Sequence, residues 1–418
     1  MNSISAIIDK GGTTRNRNLI ILLYLFVILE FTFLPFSLRF TFGGFFFRYV
    51  IGLITSLVAA YSFVRTRRFV FAFIYCLVVI LNFFVKDNIN LGNSLAESFN
   101  ILCAAFMAHY VFSQRESIKY RFFTYVFIGI TTVYTVRTFL YYLSFPDVMR
   151  FAAMAINFDR ALPLFLNGLS PYAFPHAITC LLPAFVLGLK VKEQSRVKKI
   201  VSAVMLAMSI VLIYITQATG ALVVALFALV ASLLSKVGRF RYNMEKLIWV
   251  TIVTLPLALS QTVQLAIIEQ AASFVGEDSH YISKLDEIEQ SVSADGDTEG
   301  DISYRGNLLE LTLSAIVAHP IFGITDRNFG HHNALLDRWA LYGLVGFLPL
   351  VLYFYYQVKY TLQKIPESHH TFYLIGVAAN ILMLLSKDML TWYQLLCFVV
   401  MLPVLTIYFG NTYKTIQK

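Results

Sequence analysis

The chain has 418 residues, of which 58% are hydrophobic and only 14% charged, with a mean hydropathy of +0.68. A soluble domain carries about 45–50% apolar and ~25% charged residues, so a water-soluble enzyme and a disordered chain are both excluded. The formal net charge of +9 has its meaning in where the basic residues fall.

The first 18 residues are polar and include Lys10, Arg15 and Arg17. The apolar run behind them is too long for the h-region of a cleavable signal. From there the chain reads as a series of apolar stretches at 19–38, 44–63, 69–85, 95–112, 122–145, 172–189, 200–216, 220–235, 247–267, 334–357, 371–386 and 389–410. A helix needs about 20 such residues to cross a bilayer. A transmembrane barrel would show short alternating segments instead. The expected fold is therefore an all-α polytopic membrane protein of about 12 transmembrane helices. Residues 1–267 hold spans 1–9, residues 268–333 a large loop, and residues 334–418 spans 10–12. Cys76, Cys103, Cys180 and Cys397 all fall inside apolar runs, where a thiol is a small buried hydrophobe.

Basic residues gather in alternate loops. Counting from the N-terminus, one side collects 22 of the 33 Lys and Arg, including Arg65, Arg67 and Arg68, then Lys190, Lys192 and Arg196, then Lys236, Arg239 and Arg241. By the positive-inside rule this side is cytoplasmic and so are both termini. The charge orients the chain in a membrane and implies no nucleic-acid partner. The opposite side is dominated by the loop 268–331, with 12 acidic residues and a formal charge of −9. Within it, Leu308, Leu309, Leu311, Leu313, Ile316 and Val317 mark an amphipathic helix lying on or dipping into the membrane. Pro320 stops it and Gly323 turns the chain.

Some charges stand where charge is costly. Glu30 lies near the middle of the first span and Arg137 about two turns below the outer end of the fifth. Such residues usually face a cavity or each other, so Arg137 either lines an anion site or pairs with Glu30. The outer side carries mostly Arg rather than Lys: Arg39, Arg48, Arg150, Arg160, Arg305, Arg327 and Arg338, against Lys86, Lys284 and Lys387. The planar guanidinium matches a phosphate bidentately, which points to a phosphate- or pyrophosphate-bearing lipid. Snorkelling to headgroups is the alternative for those at span ends.

Residues 304–346 read as one unit. Arg305 opens the amphipathic helix. His319-Pro320-Ile321-Phe322-Gly323 follows it. His332-Asn333 stands at the mouth of the tenth span, nine residues before Gly343-Leu344-Val345-Gly346. A histidine there suits proton transfer near neutral pH, and the two glycines would let a neighbouring helix approach. His176, at the outer end of the sixth span, either lines the same cavity or packs at the interface. His319 is read as a cation at a helix C-terminus.

This unit resembles the O-antigen polymerase and O-antigen ligase superfamily of bacterial glycan enzymes, over about a tenth of the chain. An Arg opens a helix of the large periplasmic loop; an hPxxG turn, His-Asn, nine residues and GxxG follow. The chain departs from the pattern at Gln217-Ala218-Thr219-Gly220, where many members have Ser-Arg-Gly at the outer start of a middle span. The resemblance implies a GT-C-like enzyme of the bacterial inner membrane, with the amphipathic helix in a periplasmic loop and the site facing the periplasm. The donor would be an undecaprenyl-diphosphate-linked glycan and the acceptor another glycan or lipid A-core, with a chain-length regulator as a further partner. His332 and Arg305 would be catalytic, and Arg137, Arg160, Arg327, Arg338, Asn333 and His176 would bind diphosphate or glycan. No cofactor is expected, and no metal, because the first outer loop (37–48) has no carboxylate to hold a hard cation. A repeat-unit polymerase is favoured over a ligase. A twelve-span transporter or flippase is the reading from another class, and it predicts midplane polar residues and repeat symmetry.

Overall fold

The computed structural model describes residues 20–25, 27–28, 52–86, 91–113, 117–146, 148–149, 164–165, 167–216, 218–248, 270, 301–324, 333–387 and 390–410; for residues 301–306 it describes the backbone alone. All regular structure among these residues is helical. The main helices are α1 (Gly52–Ala59), α2 (Arg67–Val85), α3 (Leu91–Ser113), α4 (Ser117–Ser144), α5 (Ala173–Lys190), α6 (Arg196–Ile215), α7 (Thr219–Leu234), α8 (Asp301–Ala318), α9 (Ala334–Leu362), α10 (His370–Ser386) and α11 (Trp392–Gly410). Eight of them are long and apolar enough to cross a membrane, and α7 and the apolar part of α8 are shorter. The expected first and ninth spans lie largely or wholly outside the described residues, and of the second only 52–63 is described.

Helix starts and breaks follow local chemistry. The side chains of Thr66, Ser195 and Thr391 accept the N–H groups of Phe69, Lys198 and Gln394, capping α2, α6 and α11. Pro183 has no N–H for the carbonyl four residues back, and α5 tightens to a 3-10 turn at Thr179–Leu181. Pro403 does the same to α11, where Leu396–Met401 widens to a π turn.

The bundle has two ends, at the two termini of α10: Lys387 is bonded to the mouth of α9, and Thr371 to Asn243 beyond α7. Lys86 and the start of α3 lie at one, and Lys190 and the start of α6 at the other. α9 packs along α2, and α5 and α11 sit at the centre. Their helical segments are 83% and 94% buried, against 28% for α2. A helix buried on every side belongs to the core, and one apolar but exposed faces lipid. Val70, Phe73, Leu77, Leu81 and Phe84 form such a lipid face on α2. The four cysteines are free and buried, as their apolar surroundings required.

At the Lys190 end one arginine departs from expectation. Arg68 is not a loop residue; it sits in the first turn of α2 and is buried. Its guanidinium lies 3.5 Å from the centroid of the Tyr360 ring. It donates to Gln357 Oε1 and to His109 Nδ1, each at 2.9 Å. Because Nδ1 accepts, the imidazole proton lies on Nε2, directed at Ser62 Oγ 3.0 Å away. Stacking and hydrogen bonding together replace the water that a buried cation loses.

Candidate functional site

The site is built around a break in α9. Gly343 adopts φ 60°, ψ −171°, so the helix is interrupted one third of the way along. The turn 319–323, with Gly323 at φ 73°, docks into the gap. Four backbone groups that a continuous helix would have paired internally find partners across it. Ala340 O accepts from Ile324 N (2.9 Å), Leu344 N donates to Pro320 O (2.8 Å), and Val345 N donates to Ile321 O (3.1 Å). The fourth, Leu341 O, accepts from the Lys86 ammonium, which also donates to Phe322 O at 2.9 Å. Trp339 Nε1 adds a bond to Pro320 O at 3.2 Å. A buried backbone group without a partner is rare because it is costly, and this exchange meets the requirement.

Two glycines make the docking sterically possible. A Cβ on Gly343 would run into the Ile321 carbonyl, and one on Gly323 into the Leu341 carbonyl. The sequence expectation that the GxxG pair admits a neighbouring helix is thus corrected for Gly343, which admits the turn. It holds for Gly346, whose Cβ would lie 3.2 Å from Val78 of α2.

Lys86 had passed as one outer lysine among three. It is buried at the end of α2, and that burial pushes its ammonium down to about 8. Nothing local in the sequence marks this role, since both its acceptors are more than 230 residues away.

From this junction α8 runs back along α9. Thr312 Oγ1 donates to Asp337 Oδ1 (3.3 Å), and Asp337 Oδ2 accepts the Asn333 N–H (2.8 Å), reaching back over the first turn of α9. Ala334 N donates to Lys387 O, tying the mouth of α9 to the end of α10. Asn333 is buried there as the residue that opens α9. Arg305 lies on the first turns of α8. His332 adjoins Asn333 in sequence and lies outside the described residues, as do Glu30, Arg160 and Arg327.

Arg338 turns toward α3, away from α8. Its Nε and NH2 groups donate to the Glu97 carboxylate at 3.3 and 3.2 Å, and each side chain is 14% exposed. Tyr75 also donates to Glu97. Glu97 is the acidic partner that the sequence reading missed, although a carboxylate inside the fourth apolar run was itself a signal. His176 is fully buried on α5; its Nδ1 lies 2.8 Å from Tyr172 O, and its Nε2 has no hydrogen-bond partner among the described residues. Arg137 is exposed on α4, with its stem against Gly168, where a Cβ would stand 3.1 Å from Arg137 Cγ. No group of three or more His, Cys, Asp or Glu able to hold a metal occurs among the described residues. The structure thus brings the Arg305 helix, the 319–323 turn, Asn333 and Arg338 to one end of α9. Arg137 and His176 stand on separate helices.

A chain of several apolar crossing helices, with a short amphipathic helix clamped to the broken mouth of one of them, is a multi-pass membrane protein. Residues 203–351 match the family model described as O-antigen ligase. That stretch runs from within α6 to within α9 and contains α8, the docked turn and the break. Over that stretch the chain is similar to the O-antigen ligase family of membrane proteins. No curated protein matches the chain.

Proposed function

We propose that this protein transfers an undecaprenyl-diphosphate-linked glycan at the outer face of the inner membrane, joining repeat units as an O-antigen or capsular polymerase. The observation that carries the reading is the turn 319–323 locked into the break at Gly343, because it anchors the C-terminal end of the helix that bears Arg305 against α9, whose opening residue, Asn333, follows His332. In the proposed topology of twelve spans with both termini cytoplasmic, that segment lies in the periplasm; the 22 basic residues gathered in the alternate loops support it.

In this mechanism Arg305, with Arg160 and Arg327, holds the diphosphate of the donor. Charge builds on the leaving oxygen as the glycosidic bond breaks, and fixed guanidinium donors stabilise it without a cation. His332 takes the proton of the acceptor hydroxyl as that oxygen attacks the anomeric carbon from the opposite face, which inverts the configuration. Asn333 and Arg338 hold the mouth of α9 in place through Asp337 and Glu97. Arg137, exposed on α4, lines the approach for the lipid and the glycan, while His176 packs inside the bundle on α5.

A ligase, moving finished glycan to lipid A-core, is the second reading, with the same donor and the same residues; the matching family model carries the description O-antigen ligase. The acceptor separates the two. A deletion strain that retains core lipid bearing a single repeat unit marks a polymerase, and one that accumulates long undecaprenyl-linked chains marks a ligase. For either enzyme His332→Ala and His332→Gln should lose ~10²–10⁴ in rate. Glycan of normal length and amount from His332→Gln would end the catalytic reading.

A further inference from the structure

At the end of the bundle opposite the docked turn, the structure holds a cavity of about 550 Å³. It is lined by Lys190, Lys192, Lys236 and Arg239, with Glu193 as the one acid, and by Val191, Val237 and Ser235. It forms where the last turns of α5 and α7 meet.

The walls are built rather than draped. Lys190 Nζ donates to the carbonyls of Ser232, Leu233 and Ser235 at 3.0, 2.6 and 2.8 Å, closing the C-terminus of α7. Asn243 Oδ1 accepts the Lys236 N–H at 2.8 Å, while its Nδ2 donates to Lys236 O and to Thr371 Oγ1. Gly238 N donates to Ser368 O at 3.0 Å. These bonds hold the segment from 236 to 243 against α10 and fix the position of the basic residues it carries.

The remaining charges are only lightly used by the fold: the Lys236 ammonium lies 5.3 Å from the centroid of the exposed Tyr242 ring, a contact a ligand can replace. Lys192, Lys236 and Arg239 are exposed, and no ion pair joins them to Glu193 among the described residues. Lys190 adds a fourth positive charge whose three donors are already spent on carbonyls. Orientation in the membrane needs basic residues somewhere in the loop but does not need them around one concavity. Beside the cavity, Leu189 and Leu233 are 37% and 62% exposed on the last turns of α5 and α7, with Phe240 and Tyr242 exposed close by in the chain. An apolar lip with aromatic residues at its edge is the signature of the bilayer interface.

We propose that this cavity binds the phosphodiester headgroup of an anionic lipid of the facing leaflet. Lys192, Lys236 and Arg239 hold the phosphate oxygens, and the acyl chains descend over Leu189 and Leu233. Basic pockets between helix ends on the positive side of a membrane protein suit such headgroups. The inference concerns the face away from the glycan-transfer site and stands whether or not that reading holds.

The test uses the full-length protein in nanodiscs and the variant Lys192→Gln/Lys236→Gln/Arg239→Gln. Lys190 is left in place so that the end of α7 stays closed, and unchanged thermal unfolding of the variant shows that it folds. Binding of phosphatidylglycerol is titrated against a phosphatidylcholine background, with inorganic phosphate as a separate arm. Each charge near an anionic surface is worth about fivefold, so the variant should bind phosphatidylglycerol on the order of 100-fold more weakly. Inorganic phosphate should displace the lipid only at millimolar concentration. Equal affinity in the two proteins overturns the site. Inorganic phosphate binding as tightly as the lipid overturns the lipid as its occupant.

Discussion

Replacing Gly343 by alanine attacks the junction at its centre. At φ 60° and ψ −171° an L residue stands in a region almost reserved for glycine, at a cost of order 1–3 kcal/mol. The new methyl also meets the Ile321 carbonyl, which accepts the Val345 N–H at 3.1 Å. Val345 is 43% exposed on an apolar face, so moving that carbonyl leaves its N–H unmatched toward lipid, for a further ~1–3 kcal/mol. The sum, about 2–6 kcal/mol, is a large share of a typical folding free energy of ~5–15 kcal/mol. The chain has a cheaper course than global unfolding, namely release of the turn alone. The assay is therefore amide hydrogen exchange at Ile324, Leu344 and Val345, alongside glycan production. Gly343→Ala should expose these three amides and abolish product. Gly129→Ala on α4, where nothing lies within 4 Å of the new methyl, serves as the control. It should be neutral or stabilising by up to about 1 kcal/mol. Unchanged protection of the three amides in Gly343→Ala would refute the docking argument.

Three further outcomes follow from the same contacts. Burial holds the Lys86 ammonium at about 8 in the folded protein against the ordinary lysine value of about 10.5. Between these values the unfolded chain keeps a proton that the folded chain has given up, so Lys86 makes stability rise with pH there and contributes no slope below about 8. The difference in melting temperature between the unmutated protein and Lys86→Met should grow across that window, and a flat difference would exclude the shift. For the pair of Glu97 and Arg338, a double-mutant cycle with Glu97→Gln and Arg338→Met should give a coupling of about 0.5–3 kcal/mol; a coupling of zero would show the pair to be incidental. Glycan transfer by the purified enzyme should survive EDTA, since guanidinium groups hold the diphosphate. Loss of activity restored by Mg²⁺ or Mn²⁺ would sink that mechanism.

Span positions were legible because hydropathy acts locally. The third to eighth and tenth to twelfth apolar runs correspond to α2–α7 and α9–α11 with ends shifted by a few residues, and the amphipathic stretch is α8. Arg68 was misplaced because hydropathy puts a charged residue at a span end in the loop, whereas Tyr360, His109 and Gln357 draw it inside. The break at Gly343 was hidden for another reason. A GxxG pair reads the same whether it admits a helix or a turn, and only the partner 20 residues away decides. Lys86 and Glu97 owe their roles to residues that lie far off in the chain, and no periodicity records such pairs.

The position of α11 at the centre of the bundle bears on biogenesis. It leaves the ribosome after the helices that pack around it, α3, α4, α5 and α10, yet its segment is 94% buried. Until it inserts, α3, α4, α5 and α10 must border a vacant slot. Their inward faces, which include Phe127, Phe174, Phe185 and Met383, would meet lipid or each other in the meantime. Completion of the bundle is then a late event governed by release of residues 392–410 from the translocon. Substitutions that slow insertion of α11 should act as quality-control mutations, lowering the amount of protein in the membrane while leaving the turnover of each surviving molecule unchanged.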